Sequence, residues 1–140
     1  MKAVLDTNVV VSGVIKEEGP PGQILRLLLQ EGAFIAVTSQ EILAEIREVL
    51  RRDKIRKYHG WNDEQIDAFV ASLYTQSVVT EGKLTVDVIT RDRTDNMFLA
   101  CAREANAEYL VSGNDHLLSL KAYEGTQILN PATFLALLLK

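Results

Sequence analysis

Asp6, Glu45, Asp95 and the Asn114–Asp115 pair are scattered along the chain, each where a strand or helix could hand its side chain to one shared cleft. Carboxylates gathered from distant segments suit hard divalent cations, and Mg²⁺ needs few protein ligands because it keeps several waters. Metal-assisted hydrolysis is the chemistry such a group would serve. Each acid also has a plainer explanation. Asp6 could be a turn residue, Glu45 a solvated helix carboxylate, and Asp95 and Asp115 helix caps, with Ser112 and Asn114 competing for the second cap. Three of them, however, stand just past an apolar strand or at a helix N-terminus on the same side of the implied sheet. Capping alone does not explain that conjunction.

The elements that must position these residues follow from the hydrophobic pattern. The apolar run opening at Lys2-Ala3-Val4-Leu5 and stopping at Asp6 predicts a buried parallel strand. Its carboxyl end would set Asp6 at the ligand crevice of an open sheet. Pro21 opens a helix through Leu28 with Gly32 past its end, and Phe34–Val37 predicts a second strand. Thr38 and Glu41 have capping-box spacing for a helix running to about Tyr58. On that helix Ile42, Leu43, Ile46, Val49 and Leu50 form one apolar stripe. At ~100° per residue, Glu45 lies roughly 100° from the stripe's centre and Glu41 and Glu48 roughly 140–160° away, so only Glu45 borders the buried face.

Asn62 predicts the cap of a third helix carrying Ile66, Phe69, Val70, Leu73 and Tyr74. Val78-Val79 and Val86–Ile89 read as short strands. Asp95 to about Asn106 reads as helix, Tyr109–Val111 as strand, Asp115–Leu120 as a short helix, and Gln127–Leu129 as a last strand before a C-terminal helix after Pro131. Alternation of this kind predicts an α/β fold: three layers, α/β/α, around a central, mainly parallel sheet of about five strands. With no repeat, linker or low-complexity tract, residues 1–140 read as a single domain.

At 140 residues with a net charge of −4, the chain can bury a core but carries no generally basic coat, so a nucleic-acid partner would be held by a local patch or by metal. Its single cysteine, Cys101, excludes an internal disulfide and fits a reducing, cytoplasmic compartment. The apolar stretch Phe134–Leu139 is far shorter than a bilayer span, so no membrane partner is expected.

Four segments, in order, resemble the motifs of the PIN domain family, and more narrowly the prokaryotic PIN proteins, VapC among them, that are toxins of toxin–antitoxin pairs. They are Leu5-Asp6-Thr7-Asn8-Val9, Glu41 to Leu50 with Glu45 as the acid, Asp92 to Ala100 with Asp95, and Leu110-Val111-Ser112-Gly113-Asn114-Asp115-His116-Leu117-Leu118. The ending Ile128 to Leu135 has the family's look as well. Two positions depart from the pattern. Asn114 stands where the family usually has Asp, with Asp115 displaced by one and His116 in the second place, and Arg93 replaces a frequent Pro.

The resemblance implies Mg²⁺- or Mn²⁺-dependent hydrolysis of RNA phosphodiester bonds. Asp6 and Asp95 would be the direct or water-bridged ligands. Glu45 and Asp115, or Asn114, would hold outer waters or a second ion. Asn8, Ser112, Asn114, Asp92 and Asn96 would orient carboxylates and waters. Arg47, Arg51, Arg52, Lys54, Arg56 and Lys57 could form an RNA-backbone patch, or a solvated helix end complementing the dipole. His116 reads as a surface or hydrogen-bonded residue and not a general base. Expected partners are RNA, a cognate antitoxin and a second copy of the chain. Unscreened carboxylates repel, so the cleft should be a local weak point that divalent ions stabilise.

Two other readings compete. A phosphatase of the haloacid dehalogenase type also begins with a strand and an Asp, but Asn8 occupies the place of its second Asp. A catalytically weak PIN fold that binds RNA or a protein partner is favoured by Asn114 and the acidic net charge.

Overall fold

The computed structural model describes residues 1–88 and 93–140, with only the backbone of Arg93. Its central sheet has six strands: β1 (Lys2–Leu5), β2 (Ile35–Ser39), β3 (Ser77–Thr80), β4 (Tyr109–Val111), β5 (Ala122–Tyr123) and β6 (Thr126–Leu129). Their spatial order is β3-β2-β1-β4-β6-β5. Every pairing is parallel except β5 with β6. One short antiparallel edge strand is thus added to the expected five, and the architecture is the predicted α/β one. From β1 the chain builds outward to β2 and β3, then returns past β1 to β4 and β6. The strand order therefore reverses between β1 and β4, where an α/β sheet opens its ligand crevice.

Ala3 and Val4, the centre of β1, are completely buried, as the middle of a doubly covered parallel sheet requires. Helices α1 (Thr7–Ile15), α2 (Pro20–Glu31), α3 (Gln40–Arg51), α4 (Asp53–His59), α5 (Asp63–Gln76), α6 (Asn96–Glu104), α7 (Asp115–Leu118) and α8 (Pro131–Leu138) surround the sheet. A 3-10 turn at Arg93–Asp95 leads into α6. Ile24 and Leu28 of α2, Ile42, Ile46 and Leu50 of α3, Leu99 of α6 and Phe134 of α8 meet the sheet in one continuous core. Phe34 meets Phe134 edge-on at 5.2 Å between ring centres. No helix among the described residues is long and apolar enough to cross a membrane.

Several expectations are corrected. The helix expected to reach Tyr58 breaks at Arg52, whose backbone is extended. Its apolar stripe ends at Leu50, and Arg51-Arg52-Asp53-Lys54 offers nothing to bury, so α4 starts afresh with no fully buried residue. The cap of α3 is Ser39, whose hydroxyl accepts from the Ile42 N–H at 3.2 Å; Thr38 belongs to β2 and Glu41 is exposed. Val9, Val10 and Val11 lie in α1, a helix the sequence reading did not assign. Residues 86–88 form no strand, and Ile89 lies outside the described residues. The cap of α5 is Asn62 as expected, completed by Gln65 as a capping box.

Candidate active-site cleft

Asp6 follows β1 at the reversal point and is only 3 % exposed. One carboxylate oxygen accepts the Val9 N–H at 2.8 Å and so caps α1. The other accepts the Ser112 hydroxyl, and Ser112 Oγ accepts the Asn114 N–H at 2.9 Å. The turn after β4 is thereby tied to the acid after β1. Burial pushes the Asp6 carboxyl above its ordinary value; bonds from Ser112, Val9 and Asn8 pull it back, and the charge of Glu45 adds to the upward push. Asp6 is a cap as well as a cleft acid, so its plainer explanation is true without being sufficient.

Asp95 differs. It stands immediately before α6 yet makes no side-chain cap bond. Its buried carboxylate instead accepts the Asn114 amide Nδ2 at 3.1 Å. Capping therefore does not account for this acid. Glu45 is half-buried on α3 while Glu41 and Glu48 are exposed, as the helical angles require.

These side chains meet in a cleft of about 400 Å³ lined by Asp6, Asn8, Glu45, Arg52, Asp95 and Asn114, with Thr7 and Thr94 beside them. Segments well separated in sequence thus share one cavity, with hard oxygen donors in its lining. The donor types fit a divalent cation that keeps most of its own water. Among the described residues, no three His, Cys, Asp or Glu side chains stand close enough to hold one ion between them. An ion here would rest on one or two side chains, with waters completing its shell.

The remaining expected residues separate. Asp115 is exposed in the first turn of α7 and does not line the cleft; Asn114 takes that place and also caps α7, its Oδ1 accepting the His116 N–H at 2.8 Å. Asn96 turns away, its Oδ1 accepting the Val88 N–H at 3.0 Å. Asp92 lies outside the described residues. Of the six cations, only Arg52 lines the cleft, in an exposed pair with Glu48 at 3.3 Å. Arg47 pairs with Asp67 at 2.8 Å, and Arg51 and Arg56 both pair with Asp63, at 3.3 and 2.6 Å. These arginines are tied to α5. Lys57 lies over the Tyr58 ring, and Lys54 is exposed.

Two buried polar atoms at or beside the cleft stand without partners among the described residues. Thr7 lines the cleft with its hydroxyl buried and without a hydrogen-bond partner; a small hydroxyl directly after Asp6 was the available signal. His116 has a buried Nδ1 with no hydrogen-bond partner, 4.0 Å from an Asp95 oxygen. The side chain is 38 % exposed, as expected of a surface residue, and the Nδ1 atom alone is buried without a partner.

Comparisons with known proteins bear on the fold and the family. A family model described as PIN domain matches residues 2–116. An uncharacterized protein of Methanocaldococcus jannaschii is 36 % identical over 121 residues, covering 86 % of this chain and 76 % of its own length. A chain in the crystal structure of VapBC2 from Rickettsia felis, bound to a DNA fragment from their promoter, superposes with a TM-score of 0.59. That match covers 93 % of this chain and 98 % of the other at 18 % identity, a likeness of fold. The chain belongs to the PIN domain family.

Proposed function

We propose that the chain is a divalent-metal-dependent endoribonuclease, the toxin of a toxin–antitoxin pair acting in the cytoplasm. The observation that carries this reading is Asp95: a buried carboxylate at a helix start that does not cap its helix and shares a cleft with Asp6 and Glu45. Asp6 and Asp95 would hold Mg²⁺ or Mn²⁺, directly or through water, and Glu45 would hold outer waters. Such an ion supplies an activated water and neutralises charge building on a phosphate.

The chain's own residues do the positioning. Ser112 fixes the Asp6 carboxylate, the Asn114 amide fixes Asp95, and Asn8 stands at the mouth of the cleft. Arg52 is placed to meet an RNA phosphate. Its exposed pair with Glu48 contributes little, so exchanging it for a phosphate costs little. Antitoxin binding and a homodimer are part of the same proposal, supported by family membership and by the VapBC2 likeness in fold.

The test is cleavage of a mixed-sequence RNA with Mg²⁺, Mn²⁺ or EDTA. Cleavage that requires the ion and disappears in Asp95→Asn supports the reading, and products insensitive to EDTA contradict it. A second reading, a PIN fold that binds RNA without cutting it, is favoured by the neutral Asn114 on the cleft. Retention of RNA in a gel shift with no product under any ion would select it.

A further inference from the structure

His116, which stands beside the cleft and not in its lining, has a ring nitrogen that neither the fold nor helix capping accounts for. Its Nδ1 is buried, has no hydrogen-bond partner, and stands 4.0 Å from the Asp95 Oδ2 atom. That distance is too long for a hydrogen bond. It lies within the span of two donors to one ion: at about 2.1 Å each, ligands sit about 3 Å apart at right angles and about 4.2 Å apart when opposite, so a small side-chain shift would complete either arrangement. The adjoining Asn114 contributes an amide and no charge, so among the described residues the Asp95 carboxylate and the His116 imidazole are the charged or metal-binding groups at this edge of the cleft.

We infer that His116 Nδ1 and the Asp95 carboxylate are joint donors to one ion, and that this imidazole makes the cleft prefer Mn²⁺ and other first-row transition ions to Mg²⁺. The inference rests on the metal reading above and adds which ion the chain selects and through which atom. Hard Mg²⁺ favours an all-oxygen shell, whereas imidazole nitrogen favours transition ions. With Asp6 reaching the ion through water, two direct side-chain donors agree with the lack of any three-residue cluster among the described residues. The ring must present its Nδ1 lone pair, with the proton on Nε2.

The test is unusually clean because the chain has only two histidines. Both nitrogens of His59 are engaged, Nε2 with the Leu50 carbonyl and Nδ1 with the Trp61 N–H, each at 2.9 Å. Pulsed electron paramagnetic resonance of the Mn²⁺-loaded chain should show coupling to a directly bound ¹⁴N, and His116→Asn should abolish it. Calorimetry should show that His116→Asn weakens Mn²⁺ binding about tenfold or more while leaving Mg²⁺ nearly unchanged. Asn114→Asp should do the opposite, improving Mg²⁺ more than Mn²⁺.

Bound Mn²⁺ without nitrogen coupling, or coupling that survives in His116→Asn, would overturn the inference and leave the carboxylate reading intact. No Mn²⁺ binding by the wild-type chain would overturn both. Should His116→Asn not fold, the wild-type spectrum decides alone.

Discussion

Asp6 bears an electrostatic cost that its neighbours only partly relieve: burial and Glu45 oppose its charge, while Ser112 and two backbone N–H groups support it. Because its folded carboxyl holds a proton more tightly than the unfolded one, the metal-free protein loses stability as pH rises from the unfolded value through the raised folded one. Asn caps a helix as well as Asp but does not titrate. In EDTA, Asp6→Asn should therefore melt higher than wild type near pH 8, with the gap closing toward about pH 4. A gap that widens in acid would contradict this. Cys101 offers an independent check of burial. Its thiol is pushed up to about 12, chiefly by desolvation. Alkylation of the native protein near pH 8 should run slower than for a free thiol by a factor on the order of a thousand, and denaturant should restore it. Glu45 was legible in the sequence because helical angles alone separate it from Glu41 and Glu48. Asn114 and Asp115 were not separable, since a one-residue choice in a turn depends on which side chain caps α7 and which amide meets Asp95.

Among the elements, those whose periodicity and punctuation agree were readable, and those overruled by tertiary packing were not. The strand Tyr109–Val111 and the Asn62 cap emerge directly from the sequence. Helix α1 was hidden because Val9, Val10 and Val11 favour strands in isolation; all three are buried in the fold, and packing outweighs propensity. The α3–α4 break was hidden because Arg51, Arg52 and Lys54 are good helix formers taken singly and Asp53 alone is a weak signal. Two substitutions test the packing. Gly22 allows the chain of residue 17 to pass close by: a Cβ there would lie 2.3 Å from the Glu17 carbonyl oxygen. Gly22→Ala should cost roughly 1–3 kcal/mol in urea unfolding. Asn62→Ala removes half of the capping box of α5 and should cost about 1 kcal/mol by the same measurement. Wild-type midpoints in either variant would show that the local geometry is wrong.

For the whole molecule, the decisive feature is the reversal of strand order between β1 and β4, which opens the sheet beside Asp6 and lets α3 and α6 bring Glu45 and Asp95 to the same opening. The sequence pattern implied the parallel sheet, but the convergence of the three acids exists only once the crossovers are made. A cleft of like charges is stabilised by whatever cation it binds, so the melting temperature should rise with ion concentration. At a hundredfold excess over Kd the gain is about 2.7 kcal/mol. Asp95→Asn should show no such rise. The most direct measurement is a calorimetric Mn²⁺ titration of the wild-type chain beside Asp6→Asn and Asp95→Asn. The expected result is saturable binding by the wild type that is lost or greatly weakened in both variants; equal affinity in all three would contradict a metal site built on these carboxylates.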